Sequence, residues 1–470
     1  MIFIIYYVKN IYKMNKLPVE IIKTIIEYDE KLKIPLTSLN KLFYSFRKFF
    51  SVNFDYKILK ENCFVTEFKI DTVCNVDDLL FSAIKKEFTK IKFNEYFNFN
   101  IDNLPENITH ITLGKKFNQK IDNLPKNMIH LTLGYKFNQK VDNLPKTLVY
   151  LTFGYYFDQT VDNLPENVTH LTFGCDFNQN VDNLPKNITH LTFGHHFDQN
   201  VDNLPKHIIH LIFGNCFDQN VYALPNNITH LTFGYCFNRN VDNLPKNITH
   251  LIFDHDFNQK VDNLPENIRH VTFGNNFNQK LDKLPKNTTH LIFGTYFNKN
   301  IDKLPQNITH LTLGYSFEQN VDNLPKNITK LIFGYHFNQK IDNLPKNITH
   351  LTLGNEFYQN IDNLSENITH LTLNSNYKNV DNLPKNLCHL TFGNIFNQKI
   401  DNLPKNITHL TLGNEFNQNI DNLPQSITCL TLGNDFNQKI NNLPKSLVNL
   451  KINKKYNYLK KYFNITIENI

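Results

Sequence analysis

Residues 117–136 read FNQKIDNLPKNMIHLTLGYK, followed by FNQKVDNLPKTLVYLTFGYY at 137–156 and FDQTVDNLPENVTHLTFGCD at 157–176. The same sentence recurs in both directions, from Phe97 to Tyr456, with Pro105, Pro125, Pro145 and Pro165 in one column and Phe117, Phe137, Phe157 and Phe177 in another. Eighteen rungs can be counted on the Leu-Pro pair, from Leu104 to Leu443, with Ser365 replacing proline once. Self-similarity at this period predicts a solenoid, in which each unit buries its apolar face against its neighbours. A long repeating surface without a unique residue constellation is suited to binding, not to chemistry.

Within a rung, Ile108, Ile111 and Leu113 are apolar while Thr109, His110 and Thr112 are not, which predicts a short strand with one buried face. Gly114 is expected to supply a positive φ where the chain turns away. Phe117, Ile121 and Leu124 follow as inward anchors, Asp122-Asn123 as a turn, and Pro125 as an extended, non-helical path. No 3.6-residue period runs through the rung. The expected fold is therefore a repeat solenoid: a leucine-rich-repeat-like parallel β stack with an extended convex side. A three-sided parallel β-helix is the competing architecture, since three apolar clusters per rung would serve it too.

More closely, the rung resembles the FNIP repeat, a relative of the leucine-rich repeat met in amoebae and large DNA viruses. Phe117-Asn118 and Leu124-Pro125 carry the resemblance, recurring to Phe436-Asn437 and Leu443-Pro444, over about residues 91–456. It implies a fold and a protein-binding role, and names no ligand. Phe88, Ile91, Phe93 and Phe97 match the columns of Ile108, Ile111, Leu113 and Phe117, so the stack is expected to open on a degenerate rung. A covering helix is expected over Asp77–Lys90, within a linker and cap at 51–90. Leu447, Leu450 and Ile452 are expected to form a last strand, with 457–470 as a lysine-solvated cap.

Residues 14–50 are different. Ile21, Ile22, Ile25 and Ile26, then Leu36, Leu39, Leu42, Phe43 and Phe46, predict two or three short amphipathic helices, with Pro18 and Glu20 suited to a first helical turn. Leu17-Pro18, Glu20, the isoleucine pairs, Tyr28 and Leu39-Asn40-Lys41 before Phe43 give this small all-α module a resemblance to the F-box, though it lacks the usual late tryptophan. That resemblance implies docking of Leu17, Pro18, Glu20, Ile21, Ile22 and Ile25 on the Skp-family linker of a cullin–RING ubiquitin ligase. The solenoid would then hold a protein substrate. Met14 immediately precedes the module, so residues 1–13 read as an extension ahead of the native start.

Composition excludes more than it suggests. Forty-nine Lys and Arg against 43 Asp and Glu leave a net charge of +6 spread over every rung, too diffuse to call for nucleic acid. No segment is long and apolar enough for a membrane span or laid out as a signal peptide, so a cytoplasmic or nuclear location is expected. The abundance of Asn, Ile and Lys reads as codon bias of an AT-rich genome. Seven unpatterned cysteines suggest free thiols, although Cys216 and Cys236 share a column one rung apart. Nearly every rung carries an Asn-x-Thr sequon such as Asn107-Ile108-Thr109, which a secreted chain would glycosylate.

Two ladders invite a metal. Histidine fills the His110 column in fourteen rungs, and aspartate fills the Asp102, Asp122 and Asp142 column. An endless row lacks the convergence a metal site needs, and the aspartates lack the glycine-rich turns of calcium solenoids, so packing and turn capping are expected, without metal or cofactor. No catalytic residues are expected, because every candidate is copied on each rung. Specificity should instead sit where rungs differ, at the two positions after each glycine: Tyr135, Tyr155, Tyr156, His195, His196, Tyr235, His255 and Asp256.

Overall fold

The computed structural model describes residues 67–70, 89–375, 377, 380–454, 456 and 466–469. The F-box-like segment at 14–50, and the expected helix as far as residue 88, lie outside the described residues. Lys90, given to that helix by the sequence reading, instead opens a strand. The chain divides into two compact units, residues 1–177 and 178–470.

In the first unit six strands follow in chain order: β1 (Glu67–Ile70), β2 (Lys90–Phe93), β3 (His110–Thr112), β4 (His130–Thr132), β5 (Tyr150–Thr152) and β6 (His170–Thr172). Each pairs in parallel with the next at a one-rung offset, so Ile91, Ile111, Leu131, Leu151 and Leu171 line up. The expected opening rung is present, and β1 adds a further strand ahead of it, pairing Ile70 with Phe93. In the second unit the strands run from β7 (His190–Thr192), one per rung, to β20 (Asn449–Ile452) and β21 (Thr466–Asn469). The four residues of β21 lie within the expected cap at 457–470 and continue the parallel ladder on β20.

The strands are short because only the central residue of each is inward. Ile111 is fully buried between half-exposed His110 and Thr112, and burial of the central residue recurs in every described rung from β3 to β20. Three turns bring the chain back. Phe117 N–H donates to Gly114 C=O at 3.2 Å and Met128 N–H to Pro125 C=O at 3.2 Å, while Asp122-Asn123 makes the expected middle turn. The path after proline is thus a tight turn, not the extended run expected from its fixed φ. No described residue is helical. A single strand per rung makes each unit a leucine-rich-repeat-like parallel β-solenoid rather than a three-sided β-helix.

Phenylalanine fills the interior. Phe117, Phe137 and Phe157 are fully buried and near-parallel, with centroids 6.3 and 6.2 Å apart. In the second unit Phe213 stacks on Phe217 within its rung at 3.8 Å and on Phe233 of the next at 5.6 Å. Offset stacking of this kind adds about 0.5–1.5 kcal/mol per pair to the area term.

The glycine column has a different cause from the one expected. Gly114, Gly134 and Gly214 do not take a left-handed φ, but a Cβ on Gly134 would lie 1.8 Å from the Gly114 carbonyl oxygen, and one on Gly214 1.6 Å from that of Gly194. Glycine is required by the approach of one rung's backbone to the next.

Asparagine, read from the sequence as codon bias, carries rung-to-rung hydrogen bonds. Asn118 Oδ1 accepts from Asn138 N–H at 2.9 Å and from Gln139 Nε2 at 3.1 Å, and the unit repeats at Asn238 with Asn258 and Gln259. The sequon asparagines do the same: Asn167 Nδ2 donates to Lys146 C=O at 2.8 Å. These bonds satisfy backbone on the sides of the rung that have no strand ladder.

Candidate protein-binding face

The strand face turned away from the core carries two columns, those of His110 and Thr112, and the turn after glycine adds the two variable positions. Backbone bonds fix that edge as firmly as the strand: Lys136 N–H donates to Lys115 C=O at 2.9 Å and Tyr156 N–H to Tyr135 C=O at 3.0 Å. In the second unit Cys216, Cys236 and Asp256 make the equivalent bonds to His195, Asn215 and Tyr235 at 2.8–2.9 Å. Side chains there project from a rigid frame.

The sequence-derived edge residues fall in two groups. In the first unit Tyr135 stacks on Tyr155 at 4.6 Å and meets Tyr156 edge-on at 5.1 Å, while all three stay well exposed, Tyr135 at 42% and Tyr156 at 43%. A hydrogen bond with the Cys175 thiol is the main reason the Tyr155 phenol is pushed up to about 12. In the second unit His195 and His196 meet edge-on at 4.7 Å, and Tyr235, 42% exposed, stacks on His255 at 4.3 Å. His255 Nδ1 lies 2.7 Å from Asp256 Oδ1, which also accepts from Asn276 Nδ2 at 2.9 Å.

The histidine column is a stack. From His190 to His310 successive ring centroids lie 4.2–4.5 Å apart. Lys330 interrupts the column, and it resumes from His350 to His409 at 4.0–4.2 Å. Thr249 Oγ1 donates to Thr229 C=O at 3.2 Å and lies 2.9 Å from His250 Nδ1. The hydroxyl has one proton, so giving it to the carbonyl makes Nδ1 the donor and leaves the lone pair on Nε2. Most neighbouring rings are near-parallel, His270 and His290 being tilted by 41°, so their lone pairs run side by side instead of converging on a common point.

Burial, with like neighbours at several positions, holds His230, His250, His270, His290, His310, His370 and His389 below their usual range. Burial is the larger cause at His230, His250 and His310, and it takes His270 and His370 to about 4. His270 and His389 follow Arg269 and Cys388 instead of threonine, and their buried Nδ1 atoms have no hydrogen-bond partner. The aspartate column mostly accepts from the next rung: Asn143 Nδ2 donates to Asp122 Oδ1 at 3.2 Å, Lys303 Nζ lies 2.8 Å from Asp282 Oδ1, and hydrogen bonds led by Asn441 bring Asp421 down to about 2. At Asp421 the carboxylate also caps the turn, accepting from Asn441 and Asn442 N–H at 3.0 Å.

Two surface features escaped the sequence reading. Ile212, Ile252 and Ile292 replace threonine at every second rung and are exposed, at 42–43%. Lys92, Lys115, Lys116 and Lys136 face outward around the Tyr135 cluster. Both were legible as departures from a repeated column, had the strand positions been compared as the edge positions were. No helix among the described residues is long and apolar enough to cross a membrane.

A frame of stacked parallel strands with variable side chains on one edge defines a leucine-rich-repeat-like solenoid protein. Its sequence matches the FNIP repeat in twelve places, spanning residues 117–156, 180–394 and 396–455, and the chain belongs to the FNIP repeat family. Among solved structures it is similar to CroV588, a giant-virus protein described as a novel circular LRR protein, with 36% identity, 86% of this chain and 72% of that one covered, and a TM-score of 0.68. YopM from Yersinia enterocolitica also aligns, at 19% identity over 74% of this chain and 79% of that one, with a TM-score of 0.49. A comparison with curated protein sequences finds no match.

Proposed function

We propose that this protein is a binding scaffold whose solenoid edge grips a protein partner, and that it serves as the substrate-recognition adaptor of a cullin–RING ubiquitin ligase. The observation that carries the binding reading is the exposed aromatic edge of each unit, Tyr135, Tyr155 and Tyr156 in the first and Tyr235 in the second, on a frame that barely changes from rung to rung. Tyrosine offers large contact area and a polar handle at low entropic cost, which is why interface cores favour it. The ligase arm rests on the sequence of residues 17–50 alone, and a scaffold or decoy without a ligase link is the competing reading. The working place of the adaptor would be the cytoplasm or nucleus, where a ligase would be met.

The test is co-purification of the full chain with a Skp-family linker, wild type against Leu17→Ala/Pro18→Ala. Capture lost in the double variant supports the adaptor. Equal capture by both, or none by a wild-type chain shown to be folded, leaves the scaffold alone.

A further inference from the structure

The charge that looks diffuse over the chain is concentrated on the outward face of the first unit. Register places Lys69 beside Lys92 and Glu67 beside Lys90, and Lys90 beside His110. The edge turns then present Lys115, Lys116 and Lys136 in neighbouring rungs, tied by the Lys116-to-Glu95 and Lys136-to-Lys115 backbone bonds at 2.8 and 2.9 Å. On these columns five lysines, Lys90, Lys92, Lys115, Lys116 and Lys136, stand with two carboxylates, Glu95 and Asp176. Lys115 pairs with Glu95 at 3.1 Å, and Lys116 lies 4.8 Å over the Tyr96 ring. Among the described residues Lys92, Lys116 and Lys136 have no carboxylate within ion-pair distance. Beside them stand Tyr96, Tyr135, Tyr150, Tyr155 and Tyr156, all exposed.

We propose that this lysine–tyrosine face of the first unit docks an acidic protein segment, one whose Asp and Glu residues alternate with aromatic or aliphatic ones. Charge complementarity selects the sign of the partner and steers it in. The tyrosines give the apolar spacers something to pack on, with phenol hydroxyls left to donate to carboxylates. Single-stranded nucleic acid would share the charge but fits less well. Tyr135, Tyr155 and Tyr156 are already packed on one another at 4.6–5.1 Å, leaving no open slot for a base. This inference rests on the protein-binding reading above and names the partner's chemistry at one part of the face.

The experiment uses the full-length protein and a fluorescent twelve-residue peptide of alternating Glu and Leu/Phe, read by anisotropy at two salt concentrations. Its controls are the same peptide with Gln for Glu and an oligothymidylate of equal charge. The acidic peptide should bind, weaken with salt, and lose at least about tenfold in affinity, equivalent to about 1.4 kcal/mol, in Lys116→Glu/Lys136→Glu and in Tyr135→Ala/Tyr155→Ala. Lys260→Glu/Lys340→Glu, on exposed positions of the second unit, should leave binding unchanged. Three results would overturn the proposal: no preference for Glu over Gln, equal loss in the Lys260/Lys340 variant, or tighter binding of oligothymidylate through the same lysines. A protein partner held undiminished by the first-unit variants would sink this inference while leaving the scaffold reading intact. Failure to bind either peptide or any protein would sink both.

Discussion

A glycine in this chain is recognised by what a methyl group would strike. The Gly194 carbonyl oxygen sits where the Cβ of residue 214 would be, so Gly214→Ala must push two rungs apart. Overpacking of that kind costs about 1–3 kcal/mol, offset by roughly 0.4–1 kcal/mol from a stiffer unfolded chain. Denaturant titration should show a net loss. Asp254 and Asn374 stand in the same column, so an isolated Cβ is tolerated once the stack gives way. Histidine supplies the second residue-scale expectation. Folded pKa values lie below the ordinary 6.5, at about 4 for His270 and His370, so the unfolded chain binds more protons between those limits. Stability should be full above pH 6.5 and fall as pH drops toward 4, visible as a declining melting temperature. Arg269→Thr should restore a hydroxyl partner to His270 Nδ1 and remove a neighbouring cation. It should raise the His270 pKa, followed by NMR, and stabilise the fold by about 0.5–1.5 kcal/mol.

The element here is the rung, and its strength comes from ladders that run across rungs. Phe217 is fully buried between Phe197 and Phe237, at 6.1 and 6.0 Å, and stacks on Phe213. Phe217→Ala should cost about 3–5 kcal/mol, the usual range for emptying an aromatic core position. The polar ladder is weaker because water competes for it. Asn238→Ala would take the acceptor from Asn258 N–H and Gln259 Nε2, both bonded at 3.0 Å, and should cost about 0.5–1.5 kcal/mol in the same titration. A cost near zero would return these asparagines to genome composition. The alternation read at Ile111–Leu113 gave the strand and its buried face correctly, because inward and outward positions differ in chemistry. The turn after Pro125 was missed: a fixed φ at proline does not dictate what Lys126 and Asn127 do next.

For the molecule as a whole, stability should behave as a sum over rungs and their interfaces. Removing residues 237–256, one period in phase, should leave a folded chain of the same strand content with a lower denaturation midpoint, followed by circular dichroism. Removing ten residues instead brings the wrong columns together and should unfold the region around the junction. The tyrosine edge could be placed from sequence because it departs from its own repeat. The lysine face was missed although it too departs from its repeat, since net charge averages over every rung while binding responds to the charge of neighbouring columns.

The sequence by itself determined the period, the inward columns of Phe, Ile and Leu, the strand at Ile111 and its repeats, and the aromatic edge, but not that this strand is the only one in each described rung. Each follows from the chemistry of residues repeated twenty positions apart. Tertiary structure alone decided why glycine is needed, what the asparagines bond to and which lysines meet. It also added the strands Glu67–Ile70 and Thr466–Asn469 to the stack. Those facts depend on the approach of one rung to the next, a distance that no single copy of the repeat contains.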